Sequence, residues 1–161
     1  MAWERIGYEV LGSAAASISI SVPTPYDFYR ITAYIVNDAN GKDIYVRFNA
    51  DSGANYSYQT IDANNATVAG ARATGQAQVS ATITDLAANG EASFVAVVAK
   101  PAAGVKGQMV GFAGQNASPS LTLDGAEWNN TAAEITSVAL VASSNNFDTG
   151  SSFLLEGLSF S

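Results

Sequence analysis

The chain contains no cysteine and no histidine. Without cysteine there is no disulfide, no zinc–thiolate site, no iron–sulfur cluster and no thiol nucleophile. Without histidine the Ser–His–Asp triad and the usual imidazole metal ligand are gone. Basic residues are scarce: Lys and Arg number 7 against 14 Asp and Glu, for a net charge of −7. They are also scattered, so the basic footprint that nucleic acid requires is missing and no nucleic-acid partner is expected. Long apolar runs are absent too. The longest charge-free stretches, 10–26 and 107–123, are broken by Gly, Pro and Ser. Neither reads as a membrane span, and no membrane partner is expected. The start at Met1 lacks a cationic region followed by an apolar core, so no signal peptide is expected. The lack of cysteine fits the cytoplasm, and fits equally a particle assembled there and later released.

Charged residues make up 13% of the chain, about half the usual share. Small side chains take their place: Ala, Ser, Thr and Asn account for 69 of 161 residues. The length corresponds to one domain, 1–161, and suffices to bury about two thirds of the unfolded surface without staples. No linker divides it, and no repeat of fixed period is present.

Hydrophobic periodicity is close to two almost throughout, which is the mark of half-buried strands. Residues 17–22 alternate Ser with Ile, Ile and Val and stop at Pro23. Residues 28–37 are rich in β-branched and aromatic side chains. Residues 43–49 alternate again, with Ile44, Val46 and Phe48 on one face. Asn40-Gly41 between the last two runs is a strong hairpin signal, so 28–49 is expected to be a β-hairpin. Further strands are expected at 3–11, 56–61, 79–84, 91–99, 108–112, 121–123, 135–142 and 153–160. Turn signals separate them at Asn89-Gly90, Asp124-Gly125 and Asp148-Thr149-Gly150. Residues 85–88 offer at most one helical turn. The stretches 62–78 and 100–120 read as long connections with short strands in them. About ten short strands imply an all-β, single-domain antiparallel β-sandwich, of jelly-roll type. Residues 1–12 are either its first strand or an N-terminal arm ordered only on a partner.

Few residues suggest chemistry. The loop 49–55, with Asn49, Asp51, Ser52 and Asn55, has oxygens at the spacing of a calcium loop. It lacks the glutamate six residues past Gly53, so a turn held by Asn and Asp side chains is the expected reading. Asp124 and Glu127, beside Trp128, are the nearest approach to the carboxylate pair of a glycosidase. No two carboxylates are singled out by spacing, so these read as turn residues beside a core tryptophan. Gly70 to Gly75 lacks the Lys-Ser/Thr ending of a phosphate loop. Neither an enzyme, a cofactor nor a bound metal is expected. Tyr56, Tyr58 and the amides around them suit a sugar-binding patch, and suit equally the outer face of a strand.

Three groups of residues carry a family resemblance. Trp3-Glu4 with Leu11-Gly12 opens the chain. The run from Tyr45 to Tyr56 reads YVRFNADSGANY. The run from Asn146 to Leu158 reads NFDTGSSFLLEGL, preceded by Trp128-Asn129-Asn130-Thr131 and ITSVAL from Ile135. Together they resemble small tailed-bacteriophage virion proteins with LRFNGDSGxNY in mid-chain and NFxxGSxFxLYG near the end. The resemblance spans Trp3 to Leu158. Two departures stand out. Ala50 replaces the central Gly of FNGD, which implies that the turn needs no positive φ there. Glu156 replaces the Tyr of LYG, which implies a different neighbour.

The resemblance implies a structural component of the virion, assembled in the bacterial cytoplasm. Its most concrete form is a capsid decoration (cement) protein that binds the major capsid protein, as a homotrimer, and stabilises the shell. Trp3, Arg5 and Tyr8 are the expected interface anchors, because aromatic and Arg side chains dominate interface energetics. Trp3 reads equally as part of the protein's own first strand. The alternative is a carbohydrate-binding module of a fibre or tail that contacts host glycan through Tyr56, Tyr58 and Trp128.

Overall fold

Side chains on a strand alternate between its two faces, so a strand with one apolar parity buries that face and solvates the other. The computed structural model, which describes residues 2–38, 43–64, 66–80, 90–100, 102–116 and 120–160, follows this rule. Twelve strands and no helix are present among the described residues. They form two antiparallel sheets. The larger contains, in order, β1 (Glu4–Val10), β12 (Ser152–Leu158), β3 (Phe28–Val36), β8 (Glu91–Ala99), β9 (Gly107–Gln115), β10 (Ser120–Trp128), β5 (Tyr56–Asn64) and β6 (Thr67–Gln76). The smaller contains β2 (Ser17–Ser21), β11 (Ser137–Ala142), β4 (Ile44–Phe48) and β7 (Val79–Ser80). The all-β sandwich is therefore the fold.

The core lies between the sheets. Ile18 and Ile20 of β2, Val46 and Phe48 of β4, and Val138 and Leu140 of β11 form one wall. Tyr29 and Ile31 of β3, Phe94 and Val98 of β8, and Phe153 and Leu155 of β12 form the other. Gly7 lets β1 close over this layer: a Cβ there would sit 2.6 Å from Cγ2 of Ile20.

The expected hairpin at 28–49 does not form. β3 pairs with β12 and β8, while β4 pairs with β11 and β7 in the opposite sheet. After Val36 the chain is tied by Asn37 N donating to Gly90 O at 3.1 Å, and it re-enters the other sheet where Asp43 N donates to Ser143 Oγ at 3.0 Å. Two strands with one apolar face each satisfy their burial side by side or face to face. The Asn40-Gly41 signal, outside the described residues, is local and does not choose between the two. The hydrogen-bonding edges of β3 were taken by strands distant in sequence.

Two connections turn out to be strands. The 62–78 stretch holds the end of β5 and all of β6, paired over Asn64↔Thr67 to Tyr56↔Gln76 with a bulge near Tyr56. Its Ala- and Gly-rich sequence showed no apolar alternation because β6 buries neither face: eight of its ten residues are exposed and none is buried. Likewise β9 fills 107–115, where only 108–112 was expected. Asp124-Gly125 is not a turn. Both sit mid-strand in β10, with Asp124 opposite Thr60 and Gly111. Asp148 to Gly150 is a turn, with Gly150 at φ +88°. The possible helical turn at 85–88, Asn89 and strand residues 81–84 lie outside the described residues.

Residues 4–10 form a strand of the large sheet, so the arm reading of 1–12 is corrected to the first-strand reading.

Candidate functional site

The chain's polar corner lies where β4 turns into β5. Phe48 ends β4, and Asn49 and Ala50 both adopt left-handed φ, +54° and +53°. Position 50 therefore does require positive φ, contrary to the expectation drawn from its alanine. Asn49 fixes the turn by joining it to the start of β11. Its Oδ1 accepts from Thr136 N at 2.7 Å and Ser137 N at 3.1 Å, and its Nδ2 donates to Glu134 O at 2.6 Å. These bonds hold Ala50 in a conformation that costs an L-residue about 1–2 kcal/mol. Ala50→Gly relieves that cost but loosens the unfolded chain by about 0.4–1 kcal/mol. The expected net gain is about 0.5–1 kcal/mol, or a midpoint roughly 1–4 °C higher in thermal unfolding. A lower midpoint would show that Ala50 is unstrained.

Asp51 is the hub of the corner. It accepts from Gly53 N at 2.9 Å, from Asn55 Nδ2 at 3.0 Å and from the Trp128 indole Nε1 at 2.9 Å. Burial alone would raise its pKa. The hydrogen bonds from Trp128, Gly53, Asn55 and Asn130 outweigh this and hold the carboxyl below its ordinary value. The 49–55 loop is thus the Asx-type turn rather than a cation cradle, because N–H donors already occupy the carboxylate. Among the described residues no group of three or more Asp or Glu is placed to hold a metal ion.

Trp128 and Tyr56 face each other in register across β10 and β5. Both are inside: Tyr56 is 0% exposed and Trp128 1%. Phe48 lies against both rings, at 6.2 Å from Tyr56 and 5.5 Å from Trp128. The Tyr56 hydroxyl accepts from Phe48 N at 3.0 Å and donates to Phe48 O at 3.2 Å, and burial pushes its pKa well up. Neither ring is open to a sugar. Their place in a glycan site is corrected, and the core reading of Trp128 holds. The reason is parity. Position 128 shares the inward face of β10 with Thr122, Asp124 and Ala126, and the apolar corner claims the largest side chain available. Tyr58 is half-buried against the edge of the core.

Lys100 belongs to the same corner and was not singled out from the sequence. Its side chain is buried, with Nζ 5.4 Å over the Trp128 ring and donating to the carbonyls of Ala102 at 3.3 Å and Val105 at 2.5 Å. Burial lowers its pKa, and the charge of Glu134 partly restores it. The signal was present: 100 continues the inward parity of Ala92, Phe94, Ala96 and Val98.

Asp124 and Glu127 are three apart on one strand and so point to opposite faces. Asp124 is buried, whereas Glu127 is half-exposed and pairs with Lys106 at 3.2 Å. They cannot act together on one glycosidic bond. On the outer face, Gly125 opens a shallow trough of about 480 Å³ lined by Ser57, Gln59, Arg72, Gln108, Val110 and Glu127.

The three expected anchors are only partly free. The Arg30 guanidinium lies 5.0 Å over the Trp3 ring and pairs with Glu156 at 2.6 Å. Trp3 therefore packs on its own sheet, and the neighbour that Glu156 implied is Arg30. Arg5 and Tyr8 are exposed on β1, an edge strand of the large sheet. No protein-family model matches the chain, and no curated protein matches it at a significant level.

Proposed function

We propose that the protein is a structural component of a tailed-phage particle, and most concretely a decoration protein that binds and stabilises the capsid shell as an oligomer. One observation carries the reading. The residues behind the resemblance to phage virion proteins are the ones on which this fold depends. Asn49, Asp51 and Asn55 build the corner around Trp128. In the closing run, Phe147 is fully buried and bridges Ala15 and Asn37, and the buried Ser151 Oγ both accepts from Val36 N and donates to Val36 O. A resemblance in such residues argues for a shared architecture, whereas one in composition alone would not.

The strand order supports the same reading. With β5, β6, β9 and β10 set aside, eight strands remain in the orders β1-β12-β3-β8 and β2-β11-β4-β7. Among these eight the chain changes sheet at every step except from β4 to β7. We take this as a jelly roll, a form that viral capsid proteins use, with two inserted hairpins. Arg5 and Tyr8 on the β1 edge are the shell contacts in this reading, with Trp3 fixed beneath Arg30. Its mechanism is adhesive and includes no enzymatic step.

The carbohydrate alternative rests on the outer trough, whose amides and charged groups suit hydroxyls. It loses Tyr56 and Trp128 to the core, and Tyr58 to the inward face of β5. Co-sedimentation separates the two. Labelled protein is mixed with shells purified without it and, in parallel, with host cells. Saturation on shells at a fixed ratio, with cells left bare, is the expected result. Pelleting with cells and not with shells overturns the decoration reading in favour of the trough.

A further inference from the structure

The large sheet extends past the small one, and its outer face is unusual. Phe112 of β9, Leu123 of β10 and Ile61 of β5 stand side by side in register. They are 51%, 48% and 48% exposed. Val110, Leu121 and Val68 flank this row at 72%, 49% and 70%. At these exposures the six side chains leave on the order of 500–600 Å² of surface in water, at the top of the range for the largest patch of a typical monomer, about 300–600 Å². It approaches the roughly 800 Å² that each partner contributes to a standard interface.

Charge on this face is arranged as a rim. Among the described residues the centre carries no ionisable side chain. Glu91 lies at one end, the Lys106–Glu127 pair at the other, Arg72 on β6, and the Arg30–Glu156 pair on the opposite flank. An apolar centre inside a charged rim is the anatomy of a protein interface. The rim holds both signs, so it suits a surface with the same composition as itself. Copies of a chain with net charge −7 repel. A face whose centre lacks acidic groups is where that repulsion is least. An anionic lipid surface is disfavoured by the same net charge.

We propose that two copies of this chain pair through the outer faces of β9, β10 and β5, stacking sheet on sheet about a two-fold axis. A single self-complementary face generates a closed pair, whereas the expected trimer requires two different faces. The proposal goes beyond the shell reading and does not depend on it, since no shell enters its test.

The test is the molar mass of the purified full chain by light scattering across a dilution series, for wild type, Phe112→Lys, Leu123→Lys and the remote exposed variant Val10→Lys. The lysines replace side chains that are about half in water, so each variant is expected to unfold within a few degrees of wild type. The expected result is the mass of two chains for wild type and Val10→Lys. For Phe112→Lys and Leu123→Lys the dissociation constant should rise by about tenfold or more. A wild-type monomer at about 0.1 mM, far above the dissociation constants of standard-sized interfaces, overturns the proposal. So does a trimer, and so does a dimer that survives both lysines or dissolves with Val10→Lys.

Discussion

Trp128→Ala is expected to remove about 3–5 kcal/mol of stability, the cost of truncating a large core aromatic and leaving a cavity behind. The thermal midpoint should fall by roughly 6–20 °C, or the chain should fail to fold at ambient temperature. Trp128 is 1% exposed, lies against Phe48, sits under the Lys100 ammonium and donates its indole N–H to Asp51. Each of these contacts ends with the substitution. The Lys100 cation, which donates to two backbone carbonyls, would face an empty corner. Trp128→Phe fills most of the volume but forfeits the N–H donor, and its cost should fall to about 1–3 kcal/mol. Chemical denaturation of both variants measures this. If Trp128 were a sugar platform, Trp128→Ala would abolish glycan binding and leave the midpoint unchanged. A loss below about 1 kcal/mol would therefore return the ring to the surface.

Asp51→Ala is expected to cost about 2–4 kcal/mol at neutral pH, because it leaves the buried indole N–H without an acceptor and releases the Gly53 and Asn55 donors. This loss carries a pH signature. The folded-state pKa of Asp51 lies below its unfolded value. The ionised carboxylate therefore adds stability that is fully present above the unfolded pKa, near 3.8. That stability is lost as pH falls through the folded value. The gap in unfolding free energy between wild type and Asp51→Ala should thus be widest above about pH 5 and narrow steadily below pH 4. A gap that stays constant with pH would place the effect in loop geometry instead of the charge. Because Asp51 and Trp128 share one bond, the double variant should lose less than the sum of the single losses, by about 0.5–3 kcal/mol.

Both substitutions strike the corner that joins β4, β5, β10 and the loop before β11. This corner gives the run from Tyr45 to Tyr56 a mechanical role. Asn49 and Asp51 replace by side-chain bonds what a backbone ladder cannot supply at the point where the chain changes sheet. The strain at Ala50 is tolerated for the same reason: the bonds of Asn49 on one side and the Asp51 N bond to Phe48 O at 2.8 Å on the other over-determine the turn.

The amino-acid sequence alone determined the class of this fold, because period two is a local property. Ser17 to Val22, Ile44 to Phe48 and Glu91 to Ala99 announce both their strands and their buried faces. The same parity pointed Lys100 inward, and the oxygens of the 49–55 run announced the turn that Asp51 closes. Tertiary structure alone decided which edges meet. Asn40-Gly41 suggested that β3 and β4 pair, yet the partners of β3 come from residues 91–99 and 152–158. Hydrogen-bonding edges are chemically alike along any strand, so only the packing of the whole core selects among them. Tertiary structure also decided exposure. Tyr56 and Trp128 had the chemistry of a sugar patch but lie at the corner where two sheets close over them. Phe112, Ile61 and Leu123 had the chemistry of a core but face outward, because Ala113, Thr122, Asp124 and Thr60 take the inner face of β9, β10 and β5 and, among the described residues, no second layer covers the outer one. A residue's burial depends on whether a second layer exists above it, and no local run of sequence records where that layer ends.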